Sequence, residues 1–437
     1  MFVVLFPPSH MSKVGTIGTT EHTMQPAPQQ PTAMSPRAMP PKPAAGCDAG
    51  PAPAVKLVLH FDINETVMVG DPAGGDTFED CLNKIICKNA FVRSANGTDP
   101  LAASSPSDLV WWDGTPLSSE VAPALLSAWE WPSGCVPFYK IEKLKKQCAK
   151  HFTEADCPGR AYRPLWEELE RALRVAAPLD GRLCHDGVHH FLLPAFFHTL
   201  RSLHDAGRDF AVVVRTFGAD GADAARALTA WAGGQHDASL PPVASLAVDP
   251  QTAVYRGKYD GGADGSESRF VLRPEPGGVA APDGGAAGAA LQEQEALELI
   301  EARGADAPRA VVCTDDYGWW RGHGYAPSAG KPLWLTLDDT STHHIFFDDN
   351  IHHDAADSIV AVRHRPSAAH PFQPASGEAT VLLQGVCLVR VPTYEPILRR
   401  DWFLDRIAEC ERARAERFST AEQQRAVFDA GAPPPRA

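Results

Sequence analysis

The stretch from Leu57 to Thr66 constrains the fold of this chain more than any other. It reads Leu-Val-Leu-His-Phe-Asp-Ile-Asn-Glu-Thr, an apolar run that ends in Asp62 and continues into a loop rich in side-chain oxygens. A buried strand that delivers a carboxylate at its C-terminal end is typical of open α/β sheets, whose ligands bind outside the carboxyl ends of the strands. Taken alone, the pattern equally fits a strand followed by an Asp-capped turn.

A second segment has the same order of apolar and acidic residues. The run 345–347 (Ile-Phe-Phe) leads into Asp348, Asp349 and Asn350. Two strand ends that carry carboxylates, far apart in the sequence, predict a site that gathers negative charge around a cation. The pair of segments therefore favours a site role for Asp62 over a turn cap.

Further apolar runs alternate with helical patterns, which predicts an α/β fold with a doubly wound, mainly parallel, Rossmann-like sheet. The continuous β-branched run 210–218 predicts a buried strand that ends near Thr216. Other predicted strands cover 254–259, 310–317, 358–363 and 386–391. Predicted helices follow Thr77 and cover 188 to about 207, 222–231, 291–302 and 397–418.

Composition divides the chain into a leader, a core and an insertion. Residues 1–54 are rich in Pro, Ala, Ser and Thr and cannot bury enough apolar area to offset the entropy of ordering, so a disordered leader is predicted. The domain then covers residues 55–437, with its core at 55–94 and 188–425. Tryptophan-rich, loop-broken sequence at 95–187 predicts an inserted cap or lid, although a plain extension of the core fits it nearly as well. A mobile Gly/Ala/Pro loop is predicted at 260–290 and a disordered tail at 426–437.

The charge balance limits the class of partner. The chain has 40 basic and 54 acidic residues, a formal net charge of −14, whereas nucleic acids and anionic membranes require a basic face. No apolar stretch reaches the ~18–20 residues that a membrane-spanning helix needs. A small phosphorylated partner remains compatible, because a metal ion can supply local positive charge. We expect a cytoplasmic protein, and the acid-poor leader also permits organelle targeting.

The histidines and cysteines give only weak metal signals. Ten cysteines lack a paired spacing, and the nearest approach to one is Cys148, His151 and Cys157, with Cys184-His185 further on. Reduced thiols in a reducing compartment are favoured over a zinc site. His352-His353 is interpreted as a solvated loop.

Four pieces of sequence stand at strand ends or just beyond them, and they resemble the four motifs of the haloacid-dehalogenase-like (HAD) superfamily. Its first motif, Asp-x-Asp-x-Thr/Val after an apolar strand, is matched by the residues 62–66. Its second, a strand ending in Ser or Thr, is matched at Thr216. Its third, a lysine, is matched at Lys331, and its fourth, an acidic pair after a strand, at Asp348 and Asp349. The Arg-Thr-Phe-Gly and Phe-Phe-Asp-Asp-Asn segments resemble an uncharacterised branch of the superfamily.

The resemblance implies a Mg²⁺-dependent hydrolase that acts on a small phosphorylated molecule. Asp62 would be the carboxylate nucleophile. Asp62, the backbone carbonyl of Asn64, Asp348 and Asp349 would hold the Mg²⁺ ion.

The resemblance also assigns roles to a threonine and a lysine. Thr216 would donate a hydrogen bond to a phosphoryl oxygen, and Lys331 would neutralise the anions around the nucleophile. Lys258, in Arg-Gly-Lys-Tyr, is an alternative for the lysine. Asp315-Asp316 either lines the cleft or caps its strand.

Asn64 departs from the family's pattern. The superfamily's phosphatases carry Asp there, as a general acid and base whose help is typically worth ~10²–10⁴-fold, and a carboxamide cannot shuttle a proton. The sequence therefore predicts weak phosphatase activity, an acid supplied by Glu65 or the cap, or a leaving group that needs no acid. The alternatives are a different reaction of the nucleophile and a non-catalytic Mg²⁺- and phospholigand-binding or regulatory protein on this fold.

Overall fold

A seven-stranded sheet organises the part of the chain that the computed structural model describes, residues 55–71, 74–127, 129–176, 179–250, 252–261, 269–275, 289–302 and 309–430. These residues belong to one compact unit within Ala54–Ala437. The predicted leader, most of the predicted 260–290 loop and residues 431–437 of the predicted tail lie outside the described residues.

Strands and helices alternate through most of the described chain. The strands are β1 (Lys56–Asp62), β2 (Phe91–Ser94), β3 (Leu109–Trp111), β4 (Cys135–Pro137), β5 (Phe210–Thr216), β6 (Val254–Asp260), β7 (Arg269–Pro274), β8 (Ala310–Thr314), β9 (Lys331–Thr336), β10 (Thr342–Asp348), β11 (Val360–Arg365), β12 (Gln373–Pro374) and β13 (Leu388–Arg390). The helices are α1 (Phe78–Asn89), α2 (Glu142–Cys148), α3 (Arg163–Leu173), α4 (Pro194–Asp205), α5 (Gly221–Ala232), α6 (Glu293–Glu301), α7 (Tyr317–Gly322), α8 (Gly377–Leu382), α9 (Tyr394–Leu398), α10 (Trp402–Arg417) and α11 (Ala421–Ala430). None of these helices is long and apolar enough to cross a membrane.

The large sheet has the order β13-β10-β1-β5-β8-β6-β7. Every neighbouring pair is parallel except β6 and β7, which are antiparallel. Every residue of β1 and β5 is buried, as expected for strands that helices cover on both faces. The predicted α/β, mainly parallel sheet is confirmed.

The register of the central strands decides where the acidic residues meet. Phe61 pairs with Phe347, so the next residue of each strand, Asp62 and Asp348, leaves the sheet at the same edge. Asp62 in turn pairs with Arg215 of β5, one residue before Thr216. The carboxyl ends of three adjacent parallel strands thus form one edge, where a ligand site is expected.

The tryptophan-rich segment forms a second layer together with α1 and β2. Strands β3, β2 and β4 form a three-stranded antiparallel sheet. Its apolar residues pack with α1, α2 and α3 around the fully buried Trp111 in a cluster separate from the main core. The helix α1 and the strand β2, which the sequence assigned to the core at 55–94, also lie in this cluster.

The helix predicted from Val188 begins later. Residues 188–193 are irregular, and α4 starts at Pro194. Proline suits the first helical position because its missing N–H has no helical partner there, and it disfavours helical backbone in the preceding residue. The predicted cap at Gly207 is present, with the left-handed φ of 65° that glycine adopts without strain.

Two segments predicted to be loop or tail are regular instead. Within 260–290, residues 269–274 form β7, because Phe270, Val271 and Leu272 are buried against the rest of the fold. The tail prediction is wrong at 426–430, which belong to α11, where Phe428 is buried and its ring lies 4.2 Å from that of His364. In both segments the burial of a few apolar residues stabilises a regular element, although the composition is typical of a loop. The predicted C-terminal helix is also divided, into α9 and α10.

The capping interaction at the start of α1 leads to a testable prediction. Thr77 and Asp80 form a reciprocal capping box, with each side chain accepting from the other's backbone N–H at 3.1 Å. We expect Thr77→Ala to lower the free energy of unfolding by about 1 kcal/mol, measured by chemical denaturation. Thr77→Ser keeps the hydroxyl and should change it by only a few tenths; equal losses in both variants would contradict the capping role.

Candidate active site

The side chains of Asp62, Lys331 and Asp348 meet at the carboxyl edge of the sheet. Lys331 Nζ lies 2.5 Å from Asp62 Oδ1 and 2.8 Å from Asp348 Oδ2. All three residues are buried, and Lys331 is only 1% exposed. An ammonium group shared between two buried carboxylates offsets part of the cost of removing their charges from water.

A close backbone approach brings Lys331 into this position. Lys331 is the first residue of β9, which belongs to the separate three-stranded sheet β12-β11-β9. Its N–H donates to the Ile359 carbonyl at 2.7 Å. A Cβ on the preceding Gly330 would lie 2.0 Å from that same oxygen, so only glycine fits there.

Asp349 completes an acidic group with Asp62 and Asp348. One carboxylate oxygen from each of the three lies within 4.8 Å of the others, and all three residues are buried. Asp349 accepts from Lys88 Nζ at 2.7 Å and from Asn350 Nδ2 at 2.8 Å. This is the only group of three or more potential metal ligands among the described residues, and its all-oxygen donor set fits a hard divalent cation.

The loop after β1 fixes the orientation of these carboxylates. The hydroxyl of Thr66 donates to Asp62 Oδ2 at 3.1 Å and accepts from the N–H of Asp349 at 3.1 Å. The N–H of Asn350 donates to Asp348 Oδ1 at 2.9 Å. Both oxygens of Asp62 and of Asp348 are therefore held, which limits the rotation of these side chains.

Thr216 and Asn64 lie beside each other at the end of β5. Thr216 Oγ1 is 3.5 Å from Asn64 Oδ1 and accepts from the N–H of Gly218 at 2.8 Å. The amide nitrogen of Asn64 donates to the Gly70 carbonyl at 3.2 Å. The amide thus connects the β1 loop to the end of β5.

The two lysines that the sequence proposed for the site lie in different places. Lys258 is half exposed and pairs with Asp316, with 3.2 Å between Nζ and Oδ1. Lys331 is the one that contacts Asp62. The buried surroundings of Lys331 depend on the contact between β9 and the Ile359 carbonyl, which sequence spacing does not reveal.

Glu65, one proposed source of the missing proton, is already fully ion-paired. One oxygen lies 2.8 Å from Lys84 Nζ and the other 2.5 Å from Lys88 Nζ. Burial alone would raise the pKa of Glu65, but the two ammonium groups lower it to about 2. Glu65 therefore stays ionised at neutral pH and has no proton to donate.

Three residues of this neighbourhood were not found from the sequence. Lys84 and Lys88 lie on α1 and bring two further positive charges to the edge of the site. The third, Asp220, is buried next to the start of α5, and no partner for its Oδ2 is found among the described residues. Burial raises the pKa of Asp220, while a hydrogen bond with Asn64 lowers it. Lysines within a helix are usually interpreted as exposed charges and an acid just before a helix as a cap, so no sequence signal marked these residues.

The sequence also singled out Asp315, Asp316 and His352. Asp315 forms a buried two-point ion pair with Arg215, at 2.9 and 2.5 Å, and Asp316 caps α7. His352 is half-buried rather than fully solvated: its Nδ1 is buried and has no hydrogen-bond partner among the described residues, and desolvation lowers its pKa well below the usual range. Because Asp316 caps α7, it fits the capping role rather than the cleft-lining role, the two that the sequence left open.

The acidic group should bind a divalent cation in a pH-dependent way. Burial raises the pKa of Asp349 to about 6 and that of Asp62 well above its usual range, in both cases against the effect of a neighbouring lysine. These carboxyls favour the folded state in their protonated form. The contribution of Asp349 to stability is therefore complete below about pH 4 and is lost as the pH rises through about 6, and that of Asp62 is likewise lost only above the ordinary range of an aspartic acid. A divalent cation would bind to these carboxylates in their ionised form, so it would compete with protons for the site.

We therefore expect Mg²⁺ to raise the melting temperature more at about pH 7.5 than at about pH 5, where proton and cation compete. Saturating Mg²⁺, at about 100 times its Kd, should add about 2.7 kcal/mol to the free energy of unfolding at the higher pH. Thermal unfolding with and without Mg²⁺ at the two pH values measures this. An equal or larger shift at the lower pH would contradict cation binding by these carboxylates.

Comparison of the chain with protein-family models, with curated proteins and with solved structures finds no match.

Proposed function

We propose that this protein is a Mg²⁺-dependent hydrolase of the HAD type that acts on phosphate monoesters, with Asp62 as its nucleophile. One observation carries the proposal: Asp62, Thr216, Lys331, Asp348 and Asp349 lie together at one edge of the sheet, in the order that the HAD motifs require. In sequence these residues are spread over nearly 290 positions, from 62 to 349.

Each residue has a role that follows from its contacts. Asp62 is buried and held at both oxygens, by Lys331 and by Thr66, so its carboxylate is already oriented for attack. Lys331 offsets the repulsion between the carboxylate and an incoming phosphoryl group. The hydroxyl of Thr216 accepts from Gly218 and makes only a long, 3.5 Å hydrogen bond to Asn64 Oδ1, so its proton would turn from Asn64 to a phosphoryl oxygen when a substrate binds.

The acidic group would hold the metal. Asp62, Asp348 and Asp349 present oxygens to one point, and the metal when bound would supply positive charge for the phosphoryl oxygens. The resemblance to the HAD superfamily also implies the backbone carbonyl of Asn64 as a member of this set.

The reaction would proceed in two displacements. A carboxylate oxygen of Asp62 bonds to phosphorus while the bond from phosphorus to the ester oxygen breaks, and the leaving group departs with that electron pair. Water then attacks the phosphorus of the aspartyl phosphate, which releases inorganic phosphate and restores the carboxylate.

The test is phosphate release from a panel of phosphorylated metabolites with Mg²⁺, with the variant Asp62→Asn assayed beside the wild type. Turnover that depends on both Mg²⁺ and Asp62 supports the proposal. Turnover that is equal in the two proteins for every compound would refute an enzymatic role for this site.

A second function is favoured by one specific observation, the amide at position 64. Asn64 is engaged with Gly70 and Thr216 and cannot move a proton, which suits a protein that binds Mg²⁺ and a phospholigand without turning it over. Such a protein should gain thermal stability from inorganic phosphate only when Mg²⁺ is present, while Asp62→Asn and wild type release no phosphate from any ester.

A further inference from the structure

Four aromatic side chains, Phe217, Tyr317, Trp320 and Tyr325, form a cluster that we call the aromatic wall. The rings of Phe217 and Trp320 are stacked, 4.9 Å apart and 11° from parallel. Tyr325 meets Trp320 edge-on at 5.0 Å, and Tyr317 lies 5.9 Å from Phe217. All four side chains are only partly buried. Part of an aromatic surface thus remains open to a ligand.

The aromatic wall begins at the candidate active site. Phe217 directly follows Thr216, the residue expected to bind a phosphoryl oxygen. The Lys331 ammonium lies 5.1 Å from the centre of the Phe217 ring and 2.5 Å from Asp62 Oδ1. The same ammonium group thus contacts both the ring and the proposed nucleophile, which places the aromatic wall beside the candidate active site.

The two residues that the family pattern and the sequence suggest as proton donors, Asn64 and Glu65, cannot serve as one. Asn64 presents an amide, and the oxygens of the neighbouring Glu65 are both taken by lysines. Without a proton, the leaving group must depart as an anion. A phenolate, with a conjugate acid of pKa about 10 as in tyrosine, leaves far more readily than an alkoxide, which is about as basic as hydroxide, whose conjugate acid has pKa ~15.7.

We propose that the substrates are phosphate monoesters of phenols, whose ring stacks on the aromatic wall and whose phenolate leaves without a proton from the protein. This inference rests on the proposed function and specifies its substrate class. In the first displacement Asp62 forms a bond to phosphorus, the bond from phosphorus to the phenolic oxygen breaks, and the phenolate takes the electron pair. The phenolate then acquires a proton from solvent.

The first experiment compares leaving groups. Purified full-length protein with Mg²⁺ is assayed on phenyl phosphate, on ring-substituted phenyl phosphates with more acidic phenols, and on benzyl phosphate, which has a similar ring but an alkyl oxygen. We expect kcat/KM to rise with the acidity of the phenol and to be at least about 10²-fold lower for benzyl phosphate, the factor that a general acid would otherwise supply. Asn64→Asp should reduce that difference by raising the rate on benzyl phosphate.

The second experiment tests the aromatic wall. Phe217→Leu and Trp320→Leu should raise KM for phenyl phosphate by about 3- to 10-fold, in keeping with the ~0.5–1.5 kcal/mol of an aromatic pair. Both variants should affect phenyl phosphate more than acetyl phosphate, which has no ring and a good leaving group; equal losses on the two compounds would contradict stacking of the substrate ring. Trp112→Leu, at a partly buried tryptophan of the second layer, is the matched control and should leave KM unchanged.

The outcomes separate this inference from the proposed function. Asp62-dependent hydrolysis of acetyl phosphate together with equal rates on phenyl and benzyl phosphate would overturn the inference and leave the function standing. If Asp220→Asn then slowed benzyl phosphate selectively, Asp220 would be the acid. Absence of Asp62-dependent turnover on every compound would overturn both. A phosphotyrosine peptide, assayed beside phenyl phosphate, identifies the source of the phenol: preference for the peptide indicates a protein substrate, and preference for the free ester a small molecule.

Discussion

Replacing Asp62, the proposed nucleophile, by Asn is expected to abolish the proposed Mg²⁺-dependent phosphate release, by about 10⁴-fold or more, and to leave the protein folded. The amide has the same shape but cannot attack phosphorus. The substitution also removes a buried negative charge. The surroundings already favour the protonated form of Asp62, because burial raises its pKa and repulsion from Asp348 and Asp349 adds to this effect. The stability of the cation-free protein should therefore change little, while its activity disappears.

The measurement combines kcat/KM on an activated ester with the free energy of unfolding in the absence of Mg²⁺. Asp62→Glu provides a matched comparison, because it keeps the charge and moves the carboxylate by one methylene. A nucleophile tolerates neither change, so both variants should be inactive. Activity retained in Asp62→Asn would show that the carboxylate serves the fold or the metal and not the chemistry.

Replacing Lys331 by Met is expected to lower the free energy of unfolding by about 3–5 kcal/mol, because it leaves two buried carboxylates without the ammonium they share. Lys331 is 1% exposed and lies 2.5 and 2.8 Å from the oxygens of Asp62 and Asp348. Mg²⁺ should recover part of this loss, since a cation can take over the charge balance. Turnover should fall as well, because the nucleophile loses one of its two hydrogen-bond donors.

Lys258→Met is the control that the chain itself offers. Lys258 is half exposed, and its ion pair with Asp316 spans 3.2 Å, so its removal should cost no more than about 1 kcal/mol. Chemical denaturation of the two variants at the same pH compares them directly. Similar losses for both lysines would mean that Lys331 is solvated in the protein and would remove it from the site.

The strands at the centre of the sheet could be read from the chain because their apolar residues are consecutive. Residues 56–62 and 210–216 are buried throughout, so apolar residues dominate 57–61 and fill 210–214 instead of alternating with polar ones, and the polar residues that follow mark the carboxyl end of each strand. The prediction from sequence failed where the local composition is typical of a loop but the residues pack into a regular element. Phe270 and its neighbours form β7 inside a segment that composition assigned to a loop.

The sequence by itself determined that Asp62, Thr216 and the pair Asp348-Asp349 stand at the carboxyl ends of strands, because an apolar run and the polar residue that ends it are neighbours in the chain. Only the tertiary structure decided which charges surround them. It selected Lys331 over Lys258 through the contact of Gly330 with the Ile359 carbonyl. It also paired Glu65 with two lysines of α1. Ion pairs between residues distant in the chain depend on how separate layers pack, and no spacing along the chain records that packing.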